Sequence, residues 1–553
     1  MKTIKILAAC SLLLFASSGC DLTELNENPN NPTADVDYNM NDAQLAASLR
    51  RGIAMEGDDE QRVKSLMLDF YAQVADGGNW NLKNYFMNDD WNNRMFKRVQ
   101  SNIAELNIVI RDLTAKGDEY RHSIAVAKIW RVYTAASGFD YFGPIPLPKY
   151  SEVEANPPYM SVKDGYAEFF RELEEAVSLL DQSSVNAIFL DNSSDIVFGN
   201  NAAKWRKFAN SLRLRYALRL SEVDATTSAA EAAKAIASGV MDDRSDAAKL
   251  PPKANGDWGA DYNYTMFQIT WGGPLLMTSS FEKLVTGIGG IDFPTTIVNK
   301  RKGLTDTPTP LSSVHPDKVD PRATIMFDPA YKSGDWKGMP YGLSSTAFGT
   351  GEYESILYSE FGYIIHNGAP YKSRPYDVFL YEEVCFLKAE AMHRGFVAGD
   401  AKSEYEKGVY ASFETWGAQG ADQYLASTQK NLAGTSANFA DLSGEGNTVL
   451  EKIITQKYLA AFPDVALESW NDKRRLNLPR MDVAIYRDEA LYSQSNTNIK
   501  DPANFIKRIQ YPQAEIANNT TEYNKGVGLL GGKDVVNTNI WWDNNANYCT
   551  SVK

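Results

Sequence analysis

Three groups of residues in this chain have types and spacings that could do chemistry. The first is carboxylate: Glu382, Glu383 and Glu390 fall within nine residues of one another, as a general acid and base would need to. The same spacing on a helix also lets Glu383 and Glu390 tie neighbouring helices together while Glu382 stays solvated, and that is the reading taken. The second is oxygen-rich: Asp257, Asp261 and Asn263 alternate like calcium ligands, but the Gly and distal Glu of an EF-hand are missing. No cofactor or metal is expected, with calcium at these oxygens as the alternative. The third is aromatic and amide. Residues 79–93 carry Trp80, Asn84, Tyr85 and Trp91, and residues 257–274 carry Trp258, Tyr262, Asn263 and Trp271. Flat rings with flanking amides suit a sugar, whose C–H face lies on the ring while the amides bond its hydroxyls. Clustered exposed aromatics mark interaction sites. The bland alternative is that Trp80, Trp91 and Trp271 fill local cores beneath loops.

Known catalytic strings are absent. The four histidines, His122, His315, His366 and His393, are scattered, with no His-Glu-x-x-His and no Cys-x-x-Cys. No Gly-x-Ser-x-Gly, Walker loop or dinucleotide glycine run occurs. No catalytic residue is assigned. A net charge of −14 argues against nucleic acid, whose phosphates demand excess Lys and Arg. Four cysteines in 553 residues do not make a disulfide scaffold. Cys385 lies in an apolar helical pattern and reads as a buried thiol.

Cys20 says where the chain works. Lys2 and Lys5 precede a short apolar run, and Ser17-Ser18-Gly19 leads into Cys20. That is a secretory leader, too short for the roughly 20 residues a membrane span needs. A Cys after Ser-Gly resembles a lipobox, although Ser17 stands where Leu is usual. We read 1–19 as a lipoprotein signal peptide and 20–40 as a lipidated, Asn- and Pro-rich tether.

The elements that position these groups are mainly helical. Apolar residues recur at three-to-four spacing over 59–74, 95–113, 123–137, 165–180 and 201–221. In the last, Trp205, Phe208, Leu212, Tyr216 and Leu220 share a face, with Lys204, Lys207 and Arg215 largely off it. Helices resume over 378–394, 403–416 and 448–462. Residues 241–375 are broken by Gly, Pro, Asp and Asn, with a short strand expected at 354–358. The last ninety residues read as irregular. The fold class is all-α: a frame of tetratricopeptide-like helical pairs at 41–240 and 376–465, a loop-rich insertion at 241–375 and an irregular region at 466–553.

Four strings matter jointly: FDYFGPIP at 139–146, FLKAEA with Arg394-Gly395, ESWNDKRR at 468–475 and RIQYPQAE at 508–515. Taken alone they read as structural: a turn packed on the frame, and Arg474 and Arg475 pairing ions or capping carbonyls beside Glu468. Their order, with NENPNNPT at 26–33, resembles the SusD/RagB family of nutrient-binding outer-membrane lipoproteins, from Cys20 to about Trp542. The resemblance implies a helical frame under variable loops and no catalysis. It also implies an outer-membrane location, on the cell surface, and a SusC-like TonB-dependent transporter that the lipoprotein covers as a lid, delivering an oligosaccharide or peptide. The aromatic segments sit where the family places its ligand. A surface glycosidase using a carboxylate pair, or an adhesin without small ligand, are the competing readings.

Overall fold

The structure, a computed structural model, describes residues 40–52, 71–72, 89–150, 156–180, 194–250, 276–297, 311–340, 350–362, 375–482 and 506–551. Cys20, Trp80, Asn84, Tyr85, Asp257, Trp258, Asp261, Tyr262, Asn263 and Trp271 lie outside them.

Helices dominate. The first half holds α1 Met40–Arg51, α2 Asp89–Lys116, α3 Arg121–Phe142, α4 Val162–Leu180, α5 Ala202–Arg219 and α6 Ala225–Ser238. The second half holds α7 Ser279–Val285, α8 Ala323–Met326, α9 Tyr381–His393, α10 Ala401–Trp416, α11 Ala421–Ala426, α12 Val449–Ala461, α13 Ala466–Leu476, α14 Gln513–Asn518 and α15 Thr520–Leu530. Consecutive helices pack as pairs, α2 on α3, α3 on α4, α5 on α6 and α9 on α10, and α9 joins the halves by touching α5 and α12. Local chemistry sets their ends. Asn201, Asp224 and Asp400 accept from first-turn N–H groups, and Thr448 with Glu451 closes a capping box on α12. Gly143, at φ 83°, stops α3 and admits the Gly-Pro turn.

Short strands carry the rest. A four-stranded antiparallel sheet runs in the order Tyr71–Ala72 (β1), Leu276–Met277, Glu360–Phe361 and Phe327–Asp328. It leans on the frame through Phe281, Phe327, Phe361 and Phe462, whose ring centroids lie 5.0–5.7 Å apart. A second ribbon pairs Ala248–Leu250 with Tyr376–Phe379.

Five readings of the sequence are corrected. Residues 71–72 of the helix expected at 59–74 are strand, because they pair with Met277 and Leu276. Residues 355–357 form a 3-10 turn instead of a strand, with Leu357 and Tyr358 donating to the carbonyls of Glu354 and Ser355. The helix expected from 378 begins at Tyr381, since Val378 and Phe379 are drawn into the ribbon. Helix α5 is buried on nearly all sides over its last two turns, Arg213, Arg215 and Arg219 included, because it is packed by α4, α6, α9 and α13. Among the described residues the region from 466 onward holds three helices; α13 is held by ion pairs, so its apolar period is weak.

Candidate functional site

The four shared strings converge on one buried place. From the 139–146 turn, Asp140 accepts from the Tyr166 hydroxyl at 2.7 Å and the Asn471 amide at 2.8 Å, with Arg219 3.4 Å away. Arg474 donates to the carbonyls of Asp140 and Lys507 at 2.7 and 2.8 Å and lies 3.3 Å over the Trp470 ring. Arg508 holds the Phe142 carbonyl through Nε and Nη2, and Tyr511 donates to the Pro144 carbonyl. Arg475 grips both oxygens of Glu390 and one of Asp472.

The electrostatics are those of a bolt. Burial alone pushes the Glu468 carboxyl upward, but Arg219, Arg215 and Lys457 outweigh it and hold the group at about 2. Burial raises Asp140 despite Arg219, and lowers Arg474 to about 9. Each carboxylate of the suspected acid–base set is engaged or enclosed. Arg215 forks onto Glu383 at 2.9 and 2.7 Å, and Glu390 lies between Arg475 and Arg394. Glu382 is buried, not solvated as expected: it accepts from Thr415 at 2.9 Å, and burial raises its pKa. Cys385 is buried as expected, its thiol pushed up to about 12. Among the described residues no group of three or more His, Cys, Asp or Glu could hold a metal.

The ligand-binding layer is therefore sought at the loops. Of the eight aromatic and amide candidates only Trp91 is described, and it is corrected. It stands in the first turn of α2, 5% exposed within the main core, where it is no loop platform. Asp89 and Asp90 beside it favour the positive end of that helix. The roots of the two aromatic segments are described. Ala72 pairs with Leu276 and Tyr71 with Met277, antiparallel. The strand that leads from Ala72 toward Trp80 and the strand entered at Leu276 from Trp271 thus have these ends side by side at one end of the sheet. Trp80 lies eight residues from Ala72, at most about 28 Å, and Trp271 five from Leu276, at most about 17 Å. Composition alone marks both segments as candidates; their common root needed the strand pairing.

A paired-helix frame that fixes loop roots, with its charged strings spent on internal bolts, defines a scaffold for binding. Comparison with known proteins gives the family. Residues 24–282 and 317–543 match the model described as SusD and RagB outer membrane lipoproteins, and the chain belongs to that family. A crystal structure of a SusD homologue from Parabacteroides distasonis is 55% identical, covering 93% of this chain and 100% of that one, with a TM-score of 0.86. A SusD homologue from Flavobacterium johnsoniae described as chitin-binding is 23% identical over 92% of this chain and 100% of its own, with a TM-score of 0.72. One from Bacteroides thetaiotaomicron is 24% identical over the same shares, with a TM-score of 0.70. No curated protein matches.

Proposed function

We propose that this chain is a cell-surface lipoprotein, anchored through Cys20, that captures an oligosaccharide and delivers it to a SusC-like TonB-dependent barrel as its lid. The observation that carries the reading is the pairing of Ala72 with Leu276, which roots two segments rich in Trp, Tyr and Asn side by side on a rigid frame. Trp80, Trp258 and Trp271 are the platforms of this site, with Asn84, Tyr262 and Asn263 as polar contacts and Tyr85 beside them. Family membership supports the outer-membrane setting, and the chitin-binding description of a distant homologue favours glycan over peptide. The carboxylates already spent on Arg215, Arg394 and Arg475 leave capture, not cleavage, as the work of the frame.

Two measurements test it. Gentle detergent extraction should bring down a large barrel with the lipoprotein; recovery of the lipoprotein alone counts against delivery. Calorimetry with pools of oligosaccharides should show heat that Trp80→Ala and Trp258→Ala each weaken at least tenfold, with the sugar recovered uncut. Unchanged affinity in both variants removes the placement of the site.

A further inference from the structure

We propose a second oligosaccharide-binding groove, on the helical frame itself, along the outer face of α2. It rests on the reading of the chain as a glycan-capture protein and adds a site that the aromatic loops do not contain. A groove of about 450 Å³ runs between α2, residues 146–150 with Asn156 and Pro157, and α14. A neighbouring groove of about 460 Å³ continues past Arg111 and Tyr150, which line both. Together they follow α2 from Asn93 to Thr114, roughly 30 Å at 1.5 Å per residue. That length suits an extended chain of several sugar units.

The amides of this groove divide into two kinds. Asn107 and Asn519 are spent on its walls: Asn107 accepts from Arg131 at 2.6 Å, and Asn519 donates to Glu515 at 2.8 Å. Arg131 also donates to the Pro148 carbonyl at 2.7 Å and lies 4.9 Å from the Tyr150 ring, fixing the rim. Tyr159 donates to Glu515 at 3.0 Å, fixing the opposite wall. By contrast, the side chains of Asn93, Gln100, Asn156 and Asn518 make no hydrogen bond among the described residues, although all four line the groove. The Gln100 amide nitrogen is buried without an acceptor, a state that calls for a partner. Each free amide offers a carbonyl beside an NH₂, the pairing that adjacent sugar hydroxyls satisfy. Phe96, Pro146, Pro148 and Tyr150 supply apolar faces for C–H groups.

Charge selects a neutral ligand. Arg111 is matched by Asp112, and Arg171 by Glu168 and Glu175. Glu515 and Lys97 balance across the first groove. Among the described residues the walls are helix and turn except for Pro146, which ends the short Ile145–Pro146 strand and has no N–H to offer an extended peptide. Prepinned walls keep the ordering cost of binding low.

The test is calorimetry on the full detergent-solubilised chain with four neutral hexaoses, of glucose, xylose, mannose and N-acetylglucosamine. At least one should bind with two sites in the wild type. Ala104→Trp fills the groove from an exposed helical position, so it leaves the fold intact; it should remove one site. Asn93→Ala with Gln100→Ala should weaken that site tenfold or more, and Trp80→Ala with Trp258→Ala should leave it. Equal stoichiometry and affinity in Ala104→Trp and the wild type overturn the groove. So does the absence of any hexaose binding, or heat from a hexapeptide pool that Ala104→Trp abolishes. Failure of the delivery reading shows separately, as a lipoprotein that does not co-purify with a barrel.

Discussion

Glu390 is held by the buried Arg475 through both oxygens and by the half-buried Arg394, at the end of its own helix, at 2.8 Å. Removing one partner of such a buried set strands the others, at a cost of about 3–5 kcal/mol. Glu390→Ala should therefore lower the thermal midpoint by several degrees in a calorimetric scan, and Glu390→Gln should recover part of the loss. Glu468 adds a pH dependence. Its folded pKa of about 2 lies below its ordinary 4.5, so the stability it contributes is full above about 4.5 and drains as pH falls toward 2. The melting difference between wild type and Glu468→Gln should be large at pH 7 and close toward pH 2. A difference that stays constant with pH denies Glu468 this part. These residues were legible as a cluster of an acid, a Trp and two Arg; which carboxylate each Arg meets was not. Arg475 reaches Glu390 across 85 positions of chain and Arg219 reaches Glu468 across 249, separations that no local pattern encodes.

At the scale of elements, apolar periodicity placed the helices but drew the buried side of α5 too narrowly. Helices α2, α3, α4 and α5 fall where apolar spacing puts them, whereas the last two turns of α5 are buried on every side, including Arg215, which the spacing sets off the apolar face. Strands of two residues are below what alternation detects, and they exist here because partners pair with them. Helix contact is also sharper than composition suggests. A Cβ on Gly408 of α10 would come 2.7 Å from the ring of Phe386 on α9, itself fully buried. Ala is about 1 kcal/mol better than Gly in a helix interior, yet overpacking costs about 1–3 kcal/mol. Gly408→Ala should therefore destabilise the protein, read as a lower urea midpoint. A rise would mean that α9 and α10 separate easily.

For the whole molecule, the frame shows where the proposed tether would join it. Asn41, in the first turn of α1, accepts from Lys116 at the end of α2 at 2.6 Å, so the chain enters the frame beside the helix whose other end follows the first aromatic segment. The shared strings announced the family because they bolt that frame, and for the same reason they say nothing of the ligand. The proposed ligand loops rest on composition alone, which named Trp91 together with Trp80, though Trp91 is core. The proposed anchor is separable from both. Cys20 precedes α1 by a polar, Asn- and Pro-rich stretch with no apolar periodicity, so losing its thiol should leave the core untouched. Cys20→Ala should abolish labelling by radioactive palmitate and release the chain from the outer-membrane fraction. Its melting temperature and its calorimetric affinity for hexaoses should match those of the wild type. Growth on the captured sugar should fall, because two acyl chains hold a protein at the membrane stably where none does. A variant that stays labelled and membrane-bound would place the anchor at another residue.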